Sequence, residues 1–223
     1  DQQGQARVQL AGAMAREDLR RFMEDAVTDA RGIAERQTFQ RLLSSRNSQL
    51  LDPFLRRACT SDAIASCAVF QGSTLVAQAG VELPWSQIEI AAAEQGERFM
   101  AVPTTGDYAV LGGSATFGPK DGARLFVVRL LDDRLSAVLS ERVGLQVRLI
   151  NYRRFVESRE VNEFTRLHSA GLSDGRSAVM RIADPAVYAA SFPVFAATGE
   201  AIALLEARLP TKEIDTATGS LIR

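Results

Sequence analysis

Residues 191–195 read Ser191-Phe192-Pro193-Val194-Phe195, and residues 199–206 read Gly199-Glu200-Ala201-Ile202-Ala203-Leu204-Leu205-Glu206. Apolar runs of strand length flank Ala197-Thr198-Gly199-Glu200, which has the composition of a turn. Tyr188 to Phe195 and Ala201 to Arg208 are therefore predicted to form a hairpin. Outward from it, Gln146 to Asn151 and Ser177 to Ala183 read as further strands, Val161 to His168 as a helix, and Thr211 to Ile222 as a closing helix. A larger version of the same plan lies upstream. Ser66 to Phe70 and Thr74 to Gln78 form a hairpin at Gly72-Ser73. Trp85 to Gln95 is a helix entered through Pro84. Arg98 to Val102, Tyr108 to Gly112 and Arg124 to Leu131 are three more strands, separated by Thr105-Gly106-Asp107 and Gly118-Pro119-Lys120-Asp121-Gly122. Asp132 to Arg142 is an amphipathic helix. Two α+β modules in tandem, each an antiparallel sheet with helices beside it, is the simplest assembly.

The N-terminal forty residues carry the clearest helical period. Val8, Ala11, Ala15, Leu19, Phe22, Ala26, Ala30 and Ile33 recur at spacings of three and four, and so line one stripe. Uninterrupted from Val8 to Leu43, this helix would run roughly 50 Å. The stripe suits either packing on the chain's own core or packing on a second copy, which makes a homodimer through the N-terminal helix an expectation. A break follows at Ser44-Ser45-Arg46-Asn47-Ser48, then a short helix from Gln49 to Ala58.

Composition narrows the chemistry. The chain has 223 residues with 26 basic and 27 acidic side chains, a balance that argues against nucleic-acid binding. All but Lys120 and Lys212 of the basic residues are arginine. One histidine and two cysteines cannot furnish a His- and Cys-rich zinc site, and no cofactor is implied. The longest uncharged run, Ala63 to Val81, holds Ser66, Gln71 and Gln78, whereas a bilayer helix needs about 20 predominantly apolar residues. Both ends, Asp1-Gln2-Gln3 and Leu221-Ile222-Arg223, read as cut from something longer.

Three features invite a chemical reading. Gly113 to Gly118 has phosphate-loop glycine spacing, but Pro119 stands where lysine is required, so a loop joining two strands is the expectation. His168, near Gly171, is expected at a helix end, interacting with the C-terminal carbonyls rather than acting as a base or phosphoacceptor. Cys59 and Cys67 can pair in an oxidising compartment, although the apolar neighbours of Cys67 favour two buried free thiols.

A long first helix, two tandem sheets and the Ser191–Glu206 ending resemble the double Cache (PDC, PAS-like) extracytoplasmic sensor domains of bacterial histidine kinases and related membrane receptors. The Leu209-Pro210-Thr211-Lys212-Glu213-Ile214 exit is similar to theirs as well. The resemblance implies a helical stalk over 1–60, a membrane-distal module over 61–142, a smaller membrane-proximal module over 143–210, and an exit helix over 211–223. It further implies a periplasmic or extracellular location and contact with the membrane only through flanking segments. The domain would have no catalytic activity, and would couple a small-molecule ligand to a kinase, with a chemoreceptor or diguanylate cyclase as alternative outputs. The pocket would be lined by Trp85, Arg98, Phe99, Tyr108 and Arg129, with Asp132 at the end of the last strand. Amino-acid binders of this family carry an Arg-x-Trp-aromatic run, and Arg98-Phe99-Met100-Ala101 lacks both aromatics. Outside signalling, the alternatives are a hydrolase or transferase using His168, and an adaptor that dimerises and binds no small molecule.

Overall fold

A computed structural model describes residues 2–45, 48–118 and 122–214. It forms two compact units. One holds Arg20–Leu130 and Ala196–Gly199; the other holds the described residues of Asp1–Leu19, Leu131–Phe195 and Glu200–Arg223. Helix α1 (Gln2–Ala34) contributes to both.

In the first unit follow α2 (Gln37–Ser44), α3 (Ser48–Ala58), β1 (Ser66–Gln71), β2 (Thr74–Gly80), α4 (Trp85–Gln95), β3 (Arg98–Ala101), β4 (Val110–Phe117) and β5 (Ala123–Leu130). The strands make an antiparallel sheet in the order β2-β1-β5-β4-β3. Because strand neighbours point to opposite faces, the sequence sorts itself into two layers. Cys67, Val69, Ala115, Leu125 and Val127 pack on Ala26, Ala30 and Ile33 of α1 and on Leu51 and Leu55 of α3. Ala68, Phe70, Phe99, Phe126 and Val128 face the other way, onto Trp85, Ile88 and Ala92 of α4.

The second unit repeats this plan. It comprises α5 (Asp133–Val143), β6 (Gln146–Asn151), α6 (Tyr152–Glu157), α7 (Glu163–Asp174), β7 (Ala178–Ile182), β8 (Val187–Phe195) and β9 (Ala201–Pro210), with the sheet ordered β6-β9-β8-β7. Tyr188 and Phe192 of β8 meet α1, where a Cβ at Gly4 or Gly12 would lie 2.4 or 2.2 Å from their rings. Val187 and Ala189 face α7 instead. The predicted closing hairpin is the β8–β9 pair, in register from Val187↔Pro210 to Val194↔Ala203, with a shift before Phe195↔Ala201. Residues 211–214 take a helical turn; the rest of the expected exit helix lies outside the described residues.

Several sequence expectations are corrected. The first helix does not reach Leu43. It ends at Ala34, and the chain re-enters helix at Gln37 after an extended Arg36. Phe39 lies six residues beyond Ile33, about 240° round a straight helix, so a continuous rod would carry it off the buried stripe. The break lets Phe39 pack on Phe54 and Phe117 at centroid distances of 5.7 and 5.0 Å. The stripe itself, from Val8 to Ile33, is buried against the chain's own core, Phe22 included. Gly113, expected in a loop, instead lies inside β4, whereas Gly118 follows the strand with a φ of 92°: a Cβ at Gly113 would sit 2.2 Å from the Val27 backbone nitrogen, so glycine there marks close approach of α1 rather than a turn. The neighbouring turn falls partly outside the described residues, as does the break at Arg46-Asn47. α6 was not foreseen; the Asn151 side chain caps it by accepting from the Arg153 and Arg154 amides.

Cys59 and Cys67 form a disulfide rather than two free thiols, with Cα atoms 6.5 Å apart. Cys67 points away from Ala68 and toward the helix α3 that Cys59 terminates, so alternation along β1 aims it at its partner. The bridge closes a loop with a sequence separation of 8. Replacing both cysteines by serine is expected to lower the unfolding free energy by about 2–3 kcal/mol, measured by urea denaturation against the oxidised wild type.

Candidate functional site

In the first unit the α4 face of the sheet is built round one ring. Phe126 meets Phe70, Phe99 and Trp85 at centroid distances of 5.5, 5.9 and 6.3 Å. Trp85 is 2 % exposed, and its buried indole N–H has no acceptor among the described residues. A donor buried in this way is expensive to leave unpaired. Beside it, the Arg124 guanidinium lies 4.8 Å from the Phe126 ring centre and 3.7 Å from the Glu89 carboxylate, both side chains being largely buried. This separation exceeds a direct hydrogen bond, which leaves the donors of Arg124 open to a better-placed acceptor. The aromatic cluster, a donor without an acceptor among the described residues and a half-buried Arg–Glu pair thus share this face of the sheet.

The residues expected to line the pocket do not converge. Trp85 and Phe99 meet in this aromatic cluster. Arg98 is on the opposite face of β3, 3.2 Å from Glu24 of α1. Arg129 also faces α1, its guanidinium 4.5 Å from the Phe22 ring centre. Tyr108 is 43 % exposed just ahead of β4. Asp132 caps α5, accepting from the Leu135 amide at 3.0 Å. Phe126, Arg124 and Glu89 were not singled out from sequence. Two signals could have found them: Arg124 and Phe126 alternate with Leu125 on one strand, and Glu89 follows Trp85 by one helical turn.

A separate cleft of about 460 Å³ lies against α2, lined by Gln40, Leu43, Ser44, Gln71, Phe117 and Ala123 among others. The Gln40 amide and the Ser44 hydroxyl donate to backbone carbonyls of Ala34 and Gln40, and among the described residues no charged side chain lines the cleft.

The second unit holds a polar cluster instead. His168 is not at a helix end. α7 starts from the Asn162–Thr165 capping box and continues to Asp174, with Gly175 in the left-handed region as its stop. The ring is therefore carried inward, Nε2 at 2.9 Å from Glu206 Oε1 and Nδ1 at 2.7 Å from Ser191 Oγ. Glu206 Oε2 accepts from Arg208 Nε at 2.6 Å, and Arg208 stacks 3.8 Å from the Phe164 ring centre. Burial pushes the Glu206 carboxyl up, but hydrogen bonds from His168 and Arg208 and the Arg208 charge outweigh it, holding the group below the ordinary carboxylate value. The Ser–His–Glu order invites a hydrolytic reading, yet Ser191 is 0 % exposed and stands on no exposed elbow.

No family model matches this sequence, and no curated protein matches it. Solved structures do. The periplasmic domain of Vibrio cholerae LuxQ superposes with a TM-score of 0.63 at 11 % identity, covering 91 % of this chain and 99 % of that one. The extracellular domain of vpHK1S-Z8, described as a histidine kinase, gives 0.61 at 9 % identity, with 95 % and 93 % covered. The ligand-binding domain of the Campylobacter jejuni chemoreceptor Tlp3, solved with 4-methylisoleucine, gives 0.55 at 10 % identity, with 96 % and 91 % covered. The chain therefore has the α+β fold of these extracytoplasmic sensor domains, a long first helix followed by two antiparallel sheets, as the resemblance implied. No described helix is long and apolar enough to cross a membrane.

Proposed function

We propose that this chain is the extracytoplasmic ligand-sensing domain of a membrane receptor, with a histidine kinase as its output, and that its ligand docks on the α4 face of the first unit. The observation that carries the reading is the buried Trp85 N–H without an acceptor among the described residues, on a fold that the chain shares with sensor domains. The disulfide supports an oxidising compartment outside the cytoplasm. A chemoreceptor output is the second reading, supported by the likeness to Tlp3. The gene sequence beyond position 223 separates the two.

Dimerisation through α1 belongs to the same proposal, on a different face from the stripe that suggested it. Phe22 is core, whereas Leu10 and Met14, one turn apart, are 62 % and 48 % exposed.

Trp85 is the only tryptophan, so intrinsic fluorescence reports this site alone. In a screen of organic acids, amino acids and amines, a ligand is expected to raise the melting temperature and shift the Trp85 emission together. Trp85→Phe keeps an aromatic ring and removes the donor, and is expected to weaken that ligand, followed by its effect on the melting temperature, about 3- to 10-fold, the worth of one hydrogen bond. A ligand that stabilises the domain without moving the Trp85 emission would place the site elsewhere. A screen without any hit would favour the adaptor reading.

A further inference from the structure

We propose that His168 is a proton-binding site of the second unit, whose protonation state is read through Ser191 and Glu206 into strands β8 and β9. This inference does not rest on the ligand site of the first unit. The sheet register pairs Ser191 directly with Glu206, so both side chains rise from one face, and the imidazole of α7 bridges the two strands. Gly171, one turn further along α7, allows the approach: a Cβ there would lie 3.2 Å from Ser191 Oγ. His168, Ser191 and Glu206 are all at least nine-tenths buried, so the exchange of one proton is not diluted by water.

Each protonation state prescribes a different bonding pattern. An ionised carboxylate only accepts, so Nε2 donates to Glu206 in both states. In the neutral ring Nδ1 accepts from the Ser191 hydroxyl. In the imidazolium Nδ1 donates, the Ser191 bond reverses direction, and its hydrogen must turn elsewhere. The buried trio of His168, Glu206 and Arg208 then moves from net zero to one positive charge. The groups around it are few. β9 contributes Glu206 and Arg208, β8 Ser191, and β6 the exposed Arg148 opposite Glu206. α6 adds the Phe155 ring, 5.6 Å from the imidazole, and α7 itself adds Phe164 beneath Arg208. β9 runs on into the helical turn at 211–214, whose Thr211 amide is bonded to the Ala186 carbonyl.

His168 is the only histidine, so its ring resonances in the ¹⁵N-labelled 223-residue chain identify themselves. The ring is expected to take up one proton within the pH range over which the domain stays folded. The amides of Ser191, Glu206, Arg208 and Ile214 are expected to follow the same curve. Glu206→Gln is expected to displace the midpoint to lower pH. A ring that keeps one protonation state across this range overturns the proposal. So does a ring that titrates while those four amides stay fixed. Both outcomes are read on the wild type, and need no variant to fold.

Discussion

Replacing Gly113 by alanine is expected to lower the unfolding free energy by about 3 kcal/mol, the upper end of what one extra core methyl costs. The backbone conformation at this position does not require glycine. The penalty is purely steric, because the new Cβ would lie 2.2 Å from Val27 N, 2.5 Å from Ala26 C and 2.6 Å from Val27 Cα. All three atoms belong to the α1 backbone, which cannot swing aside as a side-chain tip can. Either α1 lifts from β4 or the sheet bows, and each route opens gaps in a core packed at crystal-like density. Gly32 provides the control. Nothing lies within 4 Å of a Cβ built there, and it sits inside α1, so the same change is expected to stabilise by about 1 kcal/mol. Urea denaturation followed by Trp85 emission measures both. Equal effects at the two glycines would refute the close approach.

Glu206→Ala is expected to cost about 3 kcal/mol, the lower end for breaking a buried ion pair. It strips the acceptor from His168 Nε2 and from Arg208 Nε at once. The Arg208 side chain is 17 % exposed and can reach water in part, which keeps the cost from rising further. Acid is expected to undo the same interactions in the wild type. Because the folded carboxyl is held below its ordinary value of 4.5, its contribution is complete above that value and is lost as pH falls through the folded one. Thermal melts at about pH 6 and about pH 3 should therefore separate more widely for the wild type than for Glu206→Gln. A wild-type melt indifferent to acid would remove Glu206 from the account.

Burial was written plainly in the sequence. Each stripe residue of α1 from Val8 to Ile33 is interior, and the alternation of Leu125, Phe126, Val127 and Val128 assigned each to its layer. The candidate site was less legible. Arg98 and Phe99 were both expected in one pocket, yet adjacent strand residues face opposite ways, so one of them had to leave it. Phe99 faces α4 and Arg98 faces α1. His168 and Glu206 lie 38 residues apart, and only the order β6-β9-β8-β7 brings α7 over β9. Sequence periodicity gives the face of a strand, not the identity of its neighbour. One local sign did exist: Glu206 carries a charge between Leu205 and Ala207 in a strand whose only other charge is Arg208, and an acid placed so demands a partner. Gly171 misled in the other direction, since a glycine that lets a helix lie close to a strand has the same composition as one that ends it.

The sole tryptophan and the sole histidine fall in different units of the fold. Unlabelled protein thus carries two orthogonal spectroscopic addresses, one optical and one magnetic. Denaturation followed at both will reveal whether the units melt as a single cooperative block or in sequence, without a probe being introduced into either.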